Sequence, residues 1–150
     1  MLFSAKQVAK YFIWKSILEK KPITNKKLQK LLYYAQAWTY TLKGKPLFKE
    51  DIQAWVHGPT IVAVYDEYKK FGFNPISTNI SEQEVKEIKD NDILEDVWRI
   101  YGKNYDADYL EKLTHSEAPW QNARQELSPS ERSANVISLE DMKKFYSTFL

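Results

Sequence analysis

Apolar positions along this chain recur mostly at helical rather than strand spacing. The cleanest stretch runs from Thr24-Asn25 to about Leu42. There Leu28, Leu31, Leu32, Ala35, Trp38 and Leu42 fall in one sector of a helical projection. Lys26, Lys30, Tyr33 and Ala37 fall on the opposite side, which predicts an outward face that is basic and aromatic. A preceding helix is predicted from about Ser4, placed as N-cap, to Lys20. Its apolar residues cover much of the circumference, so it should be contacted on more than one side.

Further elements follow from the same pattern. Ile52–Val56 reads as a short extended segment, broken by Gly58-Pro59. Pro59 suits the first turn of a third helix with the stripe Ile61, Val64, Tyr65, Tyr68 and Phe71. Ser81-Glu82-Gln83-Glu84 has capping-box spacing, and Asp90-Asn91-Asp92 can cap a helix carrying Ile93, Leu94, Val97 and Trp98. Short helices are expected over about Asp106–Leu113 and after Ser138, with a further turn or two over Gln121–Leu127. Gly44, Gly72 and Gly102 each follow a helical stretch, where a left-handed cap belongs. Asn135–Ile137 could pair with the extended segment. The expected fold class is mainly α: a compact multi-helix domain spanning residues 1–150, with at most a small two-stranded β element. No repeat or linker divides it.

Composition narrows the chemistry. Without cysteine, the chain has no disulfides, zinc-thiolate sites or thiol nucleophile. No apolar run approaches a membrane span, and the amino terminus lacks a signal-peptide pattern, so a cytoplasmic protein is expected. The 7 Phe, 5 Trp and 10 Tyr supply bulk for a core, or anchors for a binding surface. Although the net charge is only +2, residues 1–50 carry eleven Lys against two Glu, and the remainder is acidic. Such asymmetry marks either a basic face for an acidic partner or two halves that attract each other across the fold.

The search for catalytic motifs is mostly negative. No phosphate loop, nucleophile elbow or zinc helix is present. The two histidines, His57 and His115, together with Glu117, could share acid–base work or bind a metal if they met in space. Their spacing matches no ligand pattern, and the favoured reading is structural: both histidines bond backbone groups and orient the adjacent tryptophans. No catalytic residue, metal or cofactor is expected. Nucleic acid is an unfavoured partner: the amino-terminal lysines and Tyr33, Tyr34 and Tyr40 could contact it, but arginine is absent from the first 98 residues.

Three blocks carry a family resemblance. Lys27-Leu28-Gln29-Lys30-Leu31-Leu32-Tyr33-Tyr34-Ala35-Gln36-Ala37-Trp38 resembles the signature helix of the Panacea domain, which includes SocA-like antitoxins and phage-associated GepA-like proteins. Ile52–Pro59, with Trp55, His57, Gly58 and Pro59, resembles the family's Ala-Trp-x-x-Gly-Pro turn. Thr114–Trp120, with His115, Pro119 and Trp120, resembles its Thr-His-x-Glu-x-Pro-Trp segment. The likeness extends from about Val8 to Phe149. It implies a non-enzymatic antitoxin that binds a cognate protein toxin and, in SocA-like members, presents it to a ClpXP-type protease. Alternatives are a phage or mobile-element accessory protein that binds nucleic acid, or a histidine-dependent hydrolase. Within the motifs, Leu28, Leu31, Leu32, Ala35 and Trp38 read as core, and Trp55 and Trp120 as packing anchors. Lys26, Lys30, Tyr33 and Ala37 are the candidate partner contacts.

Overall fold

The helix predicted to be amphipathic is the axis of the molecule and is enclosed on nearly every side. A computed structural model describes residues 2–150. In it α2 (Asn25–Lys43) packs against α1 (Ala5–Leu18), α3 (Val62–Tyr68), α4 (Asp92–Val97), α5 (Ala107–His115) and α7 (Leu139–Tyr146). It also packs against strand β2 (Gly58–Thr60) of an antiparallel hairpin whose other strand is β1 (Gln53–Trp55). A short α6 (Ala118–Arg124) joins α5 to the carboxyl-terminal segment. The fold is mainly α with one small two-stranded sheet, as the sequence predicts.

Local signals account for the element boundaries. Ser4 and Gln7 form a reciprocal capping box at α1, Gln7 N–H donating to Ser4 Oγ at 3.1 Å and Ser4 N–H to Gln7 Oε1 at 2.8 Å. Thr24, Asn91, Asp106 and Ser138 cap α2, α4, α5 and α7 through their side chains. Gly44 closes α2 in the left-handed region, its N–H bonded to Tyr40 O at 2.9 Å.

Three expectations are corrected. Pro59 lies in β2, opposite Ala54, and α3 begins only at Val62. Gly102 has no left-handed backbone and instead ends a π-helical turn over Trp98–Gly102. A Cβ there would stand 2.4 Å from the Trp98 ring, so packing rather than conformation requires glycine. Leu42, assigned to the core stripe, is 52% exposed. The expected Asn135–Ile137 pairing exists as a single bridge, with Ala54 N–H donating to Asn135 O and Ile137 N–H to Ile52 O, each at 2.8 Å.

Because α2 is surrounded, its polar side chains serve the interior. Gln36 donates from Nε2 to Phe48 O at 2.7 Å and accepts from Leu47 N–H at 2.7 Å. Gln29 accepts from Ile61 N–H at 2.8 Å. Each satisfies backbone groups of a passing loop that has no ladder of its own. The charge asymmetry resolves in the same way: Lys6, Lys10, Lys15 and Lys26 pair with Glu67, Glu84, Glu95 and Asp108, and Lys103 pairs back with Glu19. Four of the eleven lysines of the basic half are thus paired with the acidic half.

Candidate functional site

The three sequence blocks converge on one side of α2. From the helix come Lys30 and Tyr34, from the hairpin Gly58 and Pro59, and from α5 and its exit Thr114 and Glu117. Gly58 has φ +107°, a conformation glycine adopts without strain, and its Cα faces Lys30 so closely that a Cβ would lie 2.6 Å from Lys30 Cε. The same Cβ would stand 3.2 Å from Thr114 Oγ1. Lys30 Nζ donates to Pro59 O at 3.1 Å, tying helix to hairpin. Burial pushes this ammonium down to a pKa of about 7, against the partial support of Glu111 and with Lys26 adding to the decrease.

Lower on the same face, Glu117 is buried and accepts from the hydroxyls of Tyr34 at 2.7 Å and Tyr146 at 2.8 Å. Tyr146 gives its one proton to Glu117, so in the 2.9 Å contact between the Tyr33 and Tyr146 hydroxyls Tyr33 is the donor. Burial raises the Glu117 pKa, and the two tyrosine hydroxyls oppose that rise. Tyr34 also stacks on Tyr101 with centroids 4.0 Å apart, and Trp38 Nε1 donates to Tyr101 Oη at 2.9 Å.

The third block fixes the hairpin from below. Pro119 sits in the first turn of α6, and Trp120 Nε1 donates to Trp55 O at 2.9 Å. His115 stacks on Trp120 at 3.9 Å, with its imidazole held below the ordinary histidine range by burial. Arg124, buried beneath, donates to Ala54 O at 2.9 Å and lies 4.9 Å over the Trp120 ring. Sequence reasoning did not identify Arg124, because a lone arginine in a short helix carries no motif.

The family model of the SocA-like antitoxin, Panacea domain, matches residues 28–121, well over half of the chain. The chain belongs to the SocA-like Panacea family. The match begins at Leu28 and ends just beyond Trp120, so it is narrower than the Val8–Phe149 likeness expected. The Panacea segment therefore holds α2, the hairpin, α5 and the start of α6, while α1 and α7 enclose it from outside. Neither a curated protein nor a solved structure matches the chain. Membership places the chain in an antitoxin-like family.

Several site expectations need correction within this Panacea fold. Lys30 and Tyr33 are each 1% exposed and Ala37 is fully buried, so they form no outward face. Of the four candidate contacts only Lys26 reaches the surface, ion-paired to Asp108 at 3.0 Å and to Glu111. Leu28, Leu31, Leu32 and Ala35 are core, as read, and Trp38 packs at its edge. His115 does orient Trp120, but His57 is 74% exposed at its side chain, 3.7 Å from Glu111 Oε1, and orients no tryptophan. The histidines and Glu117 do not assemble: Glu117 is spent on Tyr34 and Tyr146. Among the described residues no group of three or more His, Cys, Asp or Glu side chains is placed to hold a metal ion. Among them also, no helix is long and apolar enough to cross a membrane.

A basic and aromatic surface does exist, built largely from other residues. A groove of about 700 Å³ opens between the start of α2, the hairpin, α3 and the start of α5. Trp55, Tyr65 and Phe73 supply aromatic rings, with Trp55 packed edge-on against Tyr65 at 4.9 Å. Lys26, Lys27, Lys30, Lys69 and His57 line the same groove, opposed by Asp106 and Asp108. Phe73, at its rim, is 98% exposed.

Proposed function

We propose that this chain is the antitoxin of a toxin–antitoxin pair, that it folds as one domain over residues 1–150, and that it silences a cognate protein toxin in the cytoplasm by stoichiometric binding without turnover. Family membership supports the class of function. The observation that carries the binding mode is the groove. A large apolar side chain left almost fully exposed beside two further aromatic rings and several cations has the composition of an interface centre. Family-motif residues and Arg124 act behind it. Lys30 and Gly58 hold the hairpin against α2, Trp120 and Arg124 hold it against α6, and Glu117 fixes the α5–α6 corner on α2, so together they set the groove's shape. Of the residues expected on the outward face of α2, Lys26 is the one whose side chain reaches the surface, and Lys30 lines the groove from within.

The test begins with the open reading frame beside this gene. Its product is expected to arrest growth when expressed alone and to be tolerated when this chain is co-expressed. Phe73→Ala and Lys26→Glu variants that retain the wild-type circular dichroism spectrum are expected to lose protection. Full protection by both variants would place the contact elsewhere on the surface. The finer form of the proposal, delivery to a ClpXP-type protease, predicts that co-expression shortens the toxin's half-life in a protease-competent strain but not in a protease-deficient one. A toxin that stays abundant and silent in both strains means neutralisation by sequestration alone.

A further inference from the structure

The cations of the groove differ in how they are compensated. Lys26 meets Asp108 and Glu111, and Lys69 meets Asp66 at 3.4 Å. Lys27 and Lys30, on successive turns of α2, meet only main-chain carbonyls. Lys27 Nζ donates to Gly102 O at 2.6 Å and Lys30 Nζ to Pro59 O at 3.1 Å. Among the described residues neither forms an ion pair with a carboxylate within 4 Å. An ammonium has three donors, and each of these two uses one on the protein. Both are withdrawn from solvent, Lys30 almost completely, and burial lowers the pKa of both. Burial without a counter-ion disfavours the charged form, and an anion that enters the desolvated site restores it by supplying the missing counter-charge.

We propose that the groove receives an acidic side chain of the partner, an Asp or Glu carboxylate that meets the Lys30 ammonium, with Lys27 a second cation of the same groove that lacks a carboxylate partner. Beside it, an aromatic or aliphatic neighbour sits on Trp55, Tyr65 and Phe73. This rests on the binding role proposed above and names its chemistry. Charge complementarity selects a protein segment over nucleic acid. Asp106 and Asp108 stand on the same groove and would repel a continuous phosphate backbone, whereas one carboxylate needs only the recessed Lys30 ammonium. The apolar rim favours a peptide too, since a carboxylate on a short stem can pass between aromatic walls to a recessed ammonium. The exposed His57 side chain and the paired Lys26 are surface groups on the same groove wall.

The experiment is selection of a displayed library of random twelve-residue peptides on the full chain, followed by fluorescence anisotropy with the enriched peptides and with a ten-thymidine oligonucleotide. The expected result is enrichment of Asp or Glu next to an aromatic or aliphatic residue. Replacing that acid by its amide should weaken binding at least tenfold. Lys30→Met should weaken the acidic peptide to the same degree while leaving the amide form unchanged. Lys27→Met, at a half-buried position where misfolding is less of a concern, should weaken it by a smaller factor. Enriched peptides without an acid, unchanged affinity in both variants, or lysine-dependent binding of the oligonucleotide in place of acidic peptides would each overturn the proposal. The toxin assay separates this failure from failure of the antitoxin reading. A Lys27→Met/Lys30→Met protein that still rescues growth sinks the carboxylate proposal and leaves the antitoxin standing. Acidic peptides that bind the groove when no neighbouring product is toxic do the reverse.

Discussion

The Tyr34 hydroxyl on α2 donates to the buried Glu117 carboxylate at 2.7 Å, across 83 residues of sequence. The bond joins the signature helix to the Thr-His-x-Glu-x-Pro-Trp segment. Neither block would be recognisable as a unit of structure alone, but together they fix α5–α6 against α2. With Tyr146 donating to the same oxygen, the carboxylate also draws α7 into place.

Replacing Glu117 by Ala is therefore expected to leave two buried hydroxyls without an acceptor and to open a void. A loss of about 2–4 kcal/mol in urea unfolding is the expected cost. Glu117→Gln keeps an acceptor oxygen for both hydroxyls and should lose far less. The pH dependence gives a second readout. Because burial raises the Glu117 pKa, the folded protein holds this proton more tightly than the unfolded chain. Its contribution is present below the unfolded carboxyl pKa and is lost as pH rises through the folded value. Wild type should show that loss in weakly acidic buffer and Glu117→Gln should not. Identical profiles for the two proteins would show that Glu117 carries no such linkage.

Much of the helical layout was legible in the sequence because caps are local. Ser4 with Gln7, Thr24, Asn91, Asp106 and Ser138 act within a few residues of themselves. The outward face of α2 was misread for a tertiary reason. Lys30 and Tyr33 are polar by type, yet each finds its partner on an element distant in sequence, Pro59 and Tyr146. Periodicity separates apolar from polar positions, but it does not distinguish a polar residue facing water from one serving buried carbonyls and hydroxyls. The groove was illegible for a related reason, since Trp55, Tyr65 and Phe73 come from three segments and share no spacing. Phe73 follows Gly72 with no local pattern that would mark it as a rim residue.

Gly58 offers a separable test of packing and backbone. Gly58→Ala meets two obstacles: the positive φ, which disfavours any Cβ, and the 2.6 Å approach to Lys30 Cε. A loss of about 2–4 kcal/mol is expected from strain and overpacking together. Shortening the neighbour in a Lys30→Ala background removes the clash but not the φ penalty. The alanine at residue 58 should then cost less than it does beside Lys30. Full additivity of the two substitutions in a double-mutant cycle would show that they do not touch.

Arg124 should prove intolerant even of lysine. Its guanidinium donates to Ala54 O and Ser128 O, both at 2.9 Å, and to Glu131 O, while lying over Trp120. Three carbonyls, one in the hairpin and two in the loop after α6, require the fixed fork of arginine, which one ammonium does not reproduce. Arg124→Lys is expected to destabilise by about 1–3 kcal/mol for the unpaired buried carbonyls. It should also loosen the hairpin, seen as faster amide exchange at Ala54 and Ile137. Wild-type exchange at those amides would mean that the hairpin is held without the guanidinium.

Lys30 makes the stability of the whole fold depend on pH in a direction opposite to that of most lysines. Its folded pKa of about 7 lies well below the unfolded one, so between those values the unfolded chain holds more protons. Stability must then rise with pH: the burial penalty is complete below about pH 7 and is relieved as the pH climbs above it. One group of this kind contributes a slope of up to about 1.4 kcal/mol per pH unit. The other charged and titratable groups around it are Lys26 on its own helix, Glu111 and His115 on α5, and His57 on the hairpin. His115, held neutral by burial, does not reverse the sign above neutral pH. Urea unfolding at pH 6.5, 7.5 and 8.5 is the measurement, on wild type and on Lys30→Met. Wild type should gain on the variant with each step, whatever their difference at pH 6.5, because methionine removes the titration along with the bond to Pro59. Parallel profiles would mean that Lys30 stays protonated throughout and has found a counter-charge in the folded protein, which would also remove the uncompensated cation on which carboxylate capture depends.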